Sequence, residues 1–133
     1  MLPKPDEVQI VIHDQPISGV LQLDDWLRSQ MDAATAIFMG RVRDVAMDGR
    51  PLEALELSHY PGLCERLIEA SARQLLQHHG CRCALVLHRV GRLLSGELIV
   101  LVAVSADRRG PAQRCCAASV SYTHLRAHET ADN

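Results

Sequence analysis

The feature that most constrains the fold is a pair of apolar segments in the second half of the chain. Residues Cys83–Val90 and Glu97–Ser105 are rich in Val, Leu and Ala, and a short glycine-containing segment separates them. Apolar runs of this length, bounded by turn residues, are typical of buried β-strands, so the pattern predicts a central hairpin. The second strand ends in Asp107-Arg108-Arg109, which places two guanidinium groups and a carboxylate at the rim of the hairpin. This corner is a candidate anion site.

Size and charge restrict the class of protein. The chain has 133 residues, enough for one domain with a core of its own. Hydrophobic residues make up 47% and aromatic residues only 3%, so the core must be aliphatic. The formal net charge of −2 gives no basic field of the kind that nucleic-acid binding requires. No apolar run approaches the length of a membrane span, so we expect neither a nucleic acid nor a membrane as a partner.

The five cysteines predict reduced thiols and no metal site. Cys81 and Cys83 flank one residue, Cys115 and Cys116 are adjacent, and Cys64 stands alone. None of these spacings is that of a zinc ribbon, and no secretory signal precedes them. The expected location is therefore the cytoplasm, where thiols stay reduced.

The rest of the chain predicts an α+β fold in which helices cover a largely antiparallel sheet. Trp26, the only tryptophan, is expected to anchor a helix in the core. The predicted order is β-α-β-β-α-β-β-α, and the second and third strands are expected to form a hairpin. The strands outside the central hairpin are Val8–His13, Ala33–Arg43 and Leu52–His59, and the helices are Leu21–Met31, a long one from Tyr60–Gly62 to about His79, and Gly110–Ala118.

Two arginines end the second predicted strand. Strand alternation puts Arg41 and Arg43 on one face and Val42 on the other. Two guanidinium groups on one face repel each other unless they share an anion, a carboxylate or solvent. The pattern is therefore compatible with a solvated strand edge and equally with a site for phosphate or carboxylate, to which arginine geometry is suited.

Four short motifs, in order, carry a resemblance to a known family. Each is weak alone, but four in order with compatible spacing are a strong signal. Over about residues 8 to 118 the chain resembles the catalytic (large) subunit of molybdopterin synthase. The motifs are F-x-G-x-V-R at Phe38–Arg43, L-x-x-Y-P-G-L at Leu57–Leu63, H-R-x-G-x-L at His88–Leu93 and V-x-V-S-A-x-R at Val102–Arg108.

The resemblance implies a fold, a reaction and a partner. The fold is of the α/β hammerhead type, and the subunit forms a homodimer. Each copy binds a small ubiquitin-like sulfur carrier, which gives a heterotetramer. The carrier's C-terminal Gly-Gly thiocarboxylate reaches into the active site. The substrate is cyclic pyranopterin monophosphate, which receives two sulfurs in succession to form the molybdopterin dithiolene. The reaction requires no metal and no further cofactor.

Carried over residue by residue, the resemblance assigns substrate binding to two segments. Arg41, Val42 and Arg43 match one substrate-binding segment, and Asp107 and Arg108 match the other. The two strand ends are expected to converge on one cyclic phosphate. Asp107 stands where the family often has histidine. A carboxylate is unfavourable beside an anion, so we expect it to orient an arginine.

The end of the chain departs from the family. The family's principal catalytic candidates are lysines that follow the last helix, whereas the only lysine in this chain is Lys4. Counting from Arg108, the first lysine position falls near Thr123, so the catalytic residues are unknown. We therefore divide the chain into a family-like domain, residues 1–118, and an atypical tail, residues 119–133. The tail is expected to be disordered and hypothesised to be non-native.

Three alternatives remain at the sequence level. The chain is an active sulfur-transfer subunit, or an impaired member that only dimerises or binds pterin phosphate, or an unrelated small α+β domain with solvated arginines. A persulfide on Cys115 or Cys116 is a further option, but adjacent helical cysteines are more often small buried hydrophobic residues.

Overall fold

The structure, a computed structural model, describes residues 7–58, 62–126 and 128–132, with side chains described for 8–58 and 62–123. The predicted start of the long helix at Tyr60–Pro61 lies outside these ranges. The elements in chain order are β1 (Glu7–His13), α1 (Val20–Arg28), β2 (Ala34–Arg41), β3 (Ala54–Ser58), α2 (Leu63–His79), β4 (Cys83–Arg89), β5 (Gly91–Leu94), β6 (Leu98–Ala106), α3 (Arg109–Arg126) and β7 (His128–Asp132).

The main sheet has four strands in the order β1-β4-β6-β2. β4 and β6 pair antiparallel, as the two central apolar segments predicted, and β2 pairs antiparallel with β6. Only β1 runs parallel to its neighbour, β4. Every residue of β4 is buried because helices cover both faces of the sheet. The predicted α+β class and the largely antiparallel sheet are confirmed.

The predicted hairpin between the second and third strands is wrong. β3 belongs to a separate three-stranded sheet of order β5-β3-β7, whereas β2 pairs with β6. The segment after the fourth strand, predicted as a tight connection, forms β5 and provides the partner of β3. Leu55 and Leu57 of β3 are buried with Leu93 of β5, so the small sheet has an apolar cluster of its own. Val42, the residue that follows β2, packs into the same cluster.

Each face of the main sheet packs against helices. On one face, α2 and α3 bury a core that includes Leu76, Val86, Val102 and Cys115. On the other face, Trp26 of α1 is 4% exposed and packs in a second core cluster with Leu85 and Leu101. The predicted core anchor is confirmed.

The third helix runs eight residues past its predicted end at Ala118. Ser119 and Thr123 are buried in its second half, and the Thr123 hydroxyl donates a hydrogen bond of 2.9 Å to the carbonyl of Ser119. A hydroxyl that bonds to the preceding turn satisfies itself within the helix, so a polar-looking segment can pack inward. The domain boundary at residue 118 therefore falls inside α3, and the non-native origin of residues 119–133 stays a prediction.

Two negative findings apply to the described ranges. None of their helices is both long enough and apolar enough to cross a bilayer. The side chains described there also contain no group of three or more His, Cys, Asp or Glu residues with the geometry of a metal site.

Candidate anion-binding site

The arginine-bearing end of β2 is built around a buried valine. The strand ends at Arg41 after a register shift at Gly40. Val42 is 4% exposed and packs into the apolar cluster of the small sheet, whereas Arg41 and Arg43 are exposed. The valine thus fixes the backbone, and the arginines on either side of it project to the surface.

The turn before β6 holds this segment in place. The Val42 amide donates to the Glu97 carbonyl at 2.9 Å, and the Gly96 amide donates to the Val42 carbonyl at 2.9 Å. The Glu97 carboxylate in turn accepts from the Leu94 amide at 2.8 Å and from the Arg89 guanidinium at 2.5 Å. These two bonds lower the pKa of the Glu97 carboxyl, the Leu94 amide having the larger effect. Glu97 therefore links the arginine segment to β4 and β5.

Replacing Glu97 by glutamine should destabilise the fold at neutral pH and weaken its acid sensitivity. The pKa of Glu97 is lower in the folded state than its ordinary value of 4.5, so its stabilisation is present above that pH and is lost as the pH falls below it. The Arg89 side chain is only 6% exposed and would lose its carboxylate. We expect a loss of about 1–3 kcal/mol at pH 7 that shrinks toward pH 3, measured by urea unfolding.

Glu56→Gln is the matched control for this variant. Glu56 pairs with Arg92 at 3.4 Å, and both side chains are 47% exposed. Pairs this exposed contribute little, so the control should change stability by less than about 0.5 kcal/mol. Equal losses for the two variants, or a Glu97→Gln loss that is independent of pH, would contradict the assigned role.

A cavity of about 510 Å³ opens beside the arginine segment. Guanidinium groups and apolar side chains share its wall, a combination suited to an anionic ligand that also has an apolar part. The volume lies within the range of small-molecule sites. It is lined by Phe38, Gly40, Arg41, Val42, Arg43, Val45, Ala46, Met47, Leu52, Leu55, His88, Ile99, Val100, Val120 and Thr123.

His88 lies on the cavity wall, although the sequence analysis assigned it no role in the site. It is 4% exposed, and its Nδ1 lies 2.8 Å from the carbonyl oxygen of Arg89. A carbonyl can only accept, so Nδ1 carries the proton and the ring orientation is fixed. Strand alternation offered a signal, because His88 lies two residues from Val86 and so shares its face of the sheet.

Asp107 and Arg108 lie at the other end of the sheet. They follow the last residue of β6, Ala106, which pairs with Ala34 at the start of β2. From Ala34 to Arg41 the strand spans seven residue steps, about 23 Å at the usual rise. Both segments are exposed, as a binding site requires, but one small phosphate cannot contact both. Within one chain the two segments therefore do not meet, and their binding to one common substrate stays a prediction.

The course of α3 gives the same separation independently. The helix begins at Arg109, next to Arg108, and Thr123 lies fourteen residues later on the cavity wall. Fourteen residues of α-helix span about 21 Å. The position at which the resemblance expects a lysine is therefore beside Arg41 and Arg43, and far from the Arg108 of the same chain.

The cysteines are unsuited to sulfur chemistry. All five are buried, and no disulfide joins them in the part of the chain that the structure describes. Burial raises the pKa of Cys81 to about 12 and that of Cys116 to about 11, and it also raises the pKa of Cys115. A thiol that stays protonated at neutral pH is a poor nucleophile. Cys115 and Cys116 pack as small hydrophobic residues, as their sequence context predicted.

Most of the chain matches a known protein family. The family model described as "MoaE protein" matches residues 12–124. The chain belongs to the MoaE family. The match covers the arginine segment at the end of β2, the second segment after β6, and α3 as far as the wall of the cavity.

Named relatives of the chain are molybdopterin synthase catalytic subunits. The protein of Haemophilus influenzae is 38% identical over 109 residues, which cover 80% of this chain and 70% of that protein. The protein of Ralstonia nicotianae is 40% identical over 89 residues, which cover 67% of this chain and 50% of that protein. The chain thus spans between half and 70% of the length of these MoaE relatives.

Solved MoaE structures share the fold. Molybdopterin cofactor biosynthesis protein E of Burkholderia multivorans superposes with a TM-score of 0.76 at 29% identity, covering 88% of this chain and 76% of that one. A complex of subunits 1 and 2 of molybdopterin-converting factor from Helicobacter pylori gives a TM-score of 0.72 at 14% identity, covering 93% and 83%. This second likeness concerns the fold alone.

Proposed function

We propose that this chain is the substrate-binding, catalytic (large) subunit of a molybdopterin synthase in molybdenum cofactor biosynthesis. Sulfur passes from a thiocarboxylated ubiquitin-like carrier to cyclic pyranopterin monophosphate and forms the dithiolene. The observation that carries this proposal is the cavity at the end of β2, where Arg41 and Arg43 flank an apolar wall. Family membership supports the same reading.

The arginines have a defined role in this scheme. A guanidinium presents paired N–H donors that match phosphate oxygens, so Arg41 and Arg43 hold the cyclic phosphate. The apolar part of the wall, which includes Phe38 and Val100, packs against the pterin. The carrier's C-terminal Gly-Gly thiocarboxylate enters the cavity from solvent, with the carrier bound to a homodimer as a heterotetramer in the cytoplasm.

The groups that assist sulfur transfer are not supplied by this sequence. Lys4 is the only lysine, and Thr123 occupies the wall position where the resemblance expects a cation. Its side chain is 3% exposed and donates to its own helix, so it offers neither a charge nor a donor to the substrate. This observation favours a second candidate function, a member of the family that binds the pterin phosphate and dimerises without turnover.

A sulfur-transfer assay separates the two functions. The chain as given is compared with a version in which the family's lysine-containing segment replaces residues 119–133. Carrier thiocarboxylate and cyclic pyranopterin monophosphate are supplied to both, and the dithiolene product is measured. We expect product from the version with the lysine segment and at least a 100-fold lower rate from the chain as given. Equal rates would contradict the role assigned to the lysines, and no product from either would reject the proposed function.

A further inference from the structure

The loop between β2 and β3 forms part of the cavity wall and has a defined shape. The Ala46 amide donates a hydrogen bond of 2.8 Å to the Arg50 carbonyl. The Leu52 amide donates one of 3.0 Å to the Asp44 carbonyl. Met47 lies inside the turn that these two bonds close, and it lines the cavity. Backbone hydrogen bonds on both sides of Met47 therefore hold it at a set place on the wall.

Met47 contacts one of the two arginines of the site. Its sulfur accepts a hydrogen bond from Nη1 of Arg43 at 3.5 Å, and both residues line the cavity. No carboxylate within the described ranges forms a salt bridge with Arg43. A thioether sulfur is a weak acceptor, so the contact orients the guanidinium and competes little with a phosphate.

Met47 is also open to oxidants. Its side chain is 91% exposed, and exposed methionine is readily oxidised to the sulfoxide. Met31 is 93% exposed but follows α1 and is not among the residues that line the cavity. Met39, on β2, is only 38% exposed. Two methionines of equal exposure thus differ in one respect, which is contact with the arginine site.

We infer that Met47 is an oxidation site that controls whether Arg43 is available to the substrate phosphate. The inference rests on the proposed function, which assigns Arg43 to that phosphate. The oxidised form is the sulfoxide, and its oxygen holds the guanidinium that the thioether only orients. Oxidation of one wall residue therefore weakens substrate binding without any change in the core.

A peroxide supplies the oxygen. The sulfur lone pair attacks one oxygen of hydrogen peroxide, and the S–O bond forms as the O–O bond breaks. The other oxygen leaves as hydroxide and takes the proton of the transferred hydroxyl group to give water. The sulfur loses two electrons and the peroxide gains the same two, so the step requires no further reactant. Methionine sulfoxide reductases reverse the oxidation.

Oxidation changes Met47 from a weak acceptor into a strong one. The sulfoxide oxygen carries partial negative charge and is bonded to a sulfur that already lies 3.5 Å from Nη1 of Arg43. Hydrogen bonds from an ionised donor are shorter and roughly twice as strong as those between neutral groups. The sulfoxide therefore retains the guanidinium more firmly than the thioether does.

This contact competes directly with the phosphate. Arginine recognises phosphate through two adjacent N–H donors, and a sulfoxide on Nη1 of Arg43 occupies one of the groups that supply them. Arg41, on the other side of Val42, stays available, so binding should weaken but not disappear. Loss of about one charge-assisted hydrogen bond corresponds to roughly a tenfold decrease in affinity.

Calorimetric titration with cyclic pyranopterin monophosphate, before and after peroxide treatment, is the first test. Mass spectrometry of peptides from each sample quantifies the sulfoxide at every methionine. We expect the affinity to fall about tenfold once Met47 is oxidised and to recover after treatment with the reductases. Unchanged affinity in a sample with oxidised Met47 would overturn the inference.

Met47→Leu and Met31→Leu are a matched pair of variants for this test. Leucine keeps the size and apolar character of methionine and has no sulfur to oxidise. Each variant is compared with its own untreated sample. Met47→Leu should lose the response to peroxide, and Met31→Leu should keep all of it. A response that survives in Met47→Leu would come from another residue and would also overturn the inference.

The second test does not depend on the pterin. Heteronuclear NMR follows the guanidinium nitrogens of Arg43, whose signals are identified by their loss in Arg43→Lys. We expect these signals to shift when the unaltered chain is treated with peroxide and to stay in place in Met47→Leu. Absence of a shift while Met47 is oxidised would show that the sulfoxide does not capture Arg43.

The two tests separate this inference from the proposed function. If the untreated chain binds no pterin monophosphate, the proposed function fails, and control of substrate binding by Met47 fails with it. The NMR shift still decides whether the sulfoxide holds Arg43. If the untreated chain binds and oxidation of Met47 leaves the affinity unchanged, the proposed function stands and the inference fails.

Discussion

Replacing both Arg41 and Arg43 by alanine should lower the affinity for cyclic pyranopterin monophosphate by at least about 100-fold. A hydrogen bond to a charged group contributes about 1.5–3 kcal/mol, so each arginine that holds the phosphate accounts for roughly a 10- to 150-fold effect. Both side chains are exposed and flank a buried valine, so the fold should tolerate the change. Titration calorimetry measures the affinity, and thermal unfolding checks the fold.

Arg28→Ala is the matched control for this effect. Arg28 is an exposed arginine on α1 that pairs with Asp24 at 2.9 Å, and its side chain is 77% exposed. Replacing Arg28 removes one positive charge, as each substitution in the double variant does. Arg28 is not among the residues that line the cavity. We expect less than a twofold change in affinity. A double variant that binds as tightly as the unaltered chain would show that the phosphate lies elsewhere.

Leu101→Ala should have the largest effect on stability. Leu101 is fully buried in the middle of β6, the strand between β4 and β2, and packs in the cluster that includes Trp26. Truncating a buried leucine costs about 2–5 kcal/mol, a large part of the ~5–15 kcal/mol that stabilises a typical domain. Because β6 pairs with β2 from Ala34 to Arg41, pterin binding should also fall when the variant is partly unfolded.

Chemical denaturation measures this loss of stability. Leu21→Ala is the control, since Leu21 is 70% exposed on α1 and its truncation should stay within about 0.5 kcal/mol. A Leu101→Ala variant with the stability of the control would mean that the main core does not depend on the centre of β6.

The elements that the sequence predicted correctly are those whose apolar residues indicate that they are buried. β4 and β6 are covered on both faces, so their apolar runs are continuous and unmistakable. Trp26 was recognised because the chain has so few aromatic side chains to fill a core. The predicted end of α2 at about His79 is also confirmed, because the next residue, Gly80, adopts the left-handed conformation that favours glycine at a helix end.

Strand partners could not be read from the same patterns. Alternation in Leu52–His59 indicates a strand but not a neighbour, and β3 pairs with β5 because Leu55, Leu57 and Leu93 form a cluster apart from the main core. The two arginine segments were placed together because both end strands of the main sheet. Antiparallel pairing puts the C-terminal ends of neighbouring strands at opposite ends of the sheet along the strand direction, and the sequence alone does not reveal which strands pair.

The sequence also did not predict that two residues, His88 and Thr123, line the cavity. His88 lies within a buried strand, and its place on the wall depends on where Arg41 and Arg43 end up in space. Thr123 was found only by counting from Arg108, since nothing in its own surroundings indicates a cavity. Sequence reasoning therefore predicted an anion-binding role for the arginines but not the geometry that surrounds them.

The most direct test of the proposed site is a calorimetric titration of the unaltered chain with cyclic pyranopterin monophosphate. The account predicts saturable binding of one molecule per chain, with inorganic phosphate as a weaker competitor because it fills only the arginine part of the cavity. Absence of saturable binding by the folded chain would contradict the assignment of this cavity to the pterin phosphate.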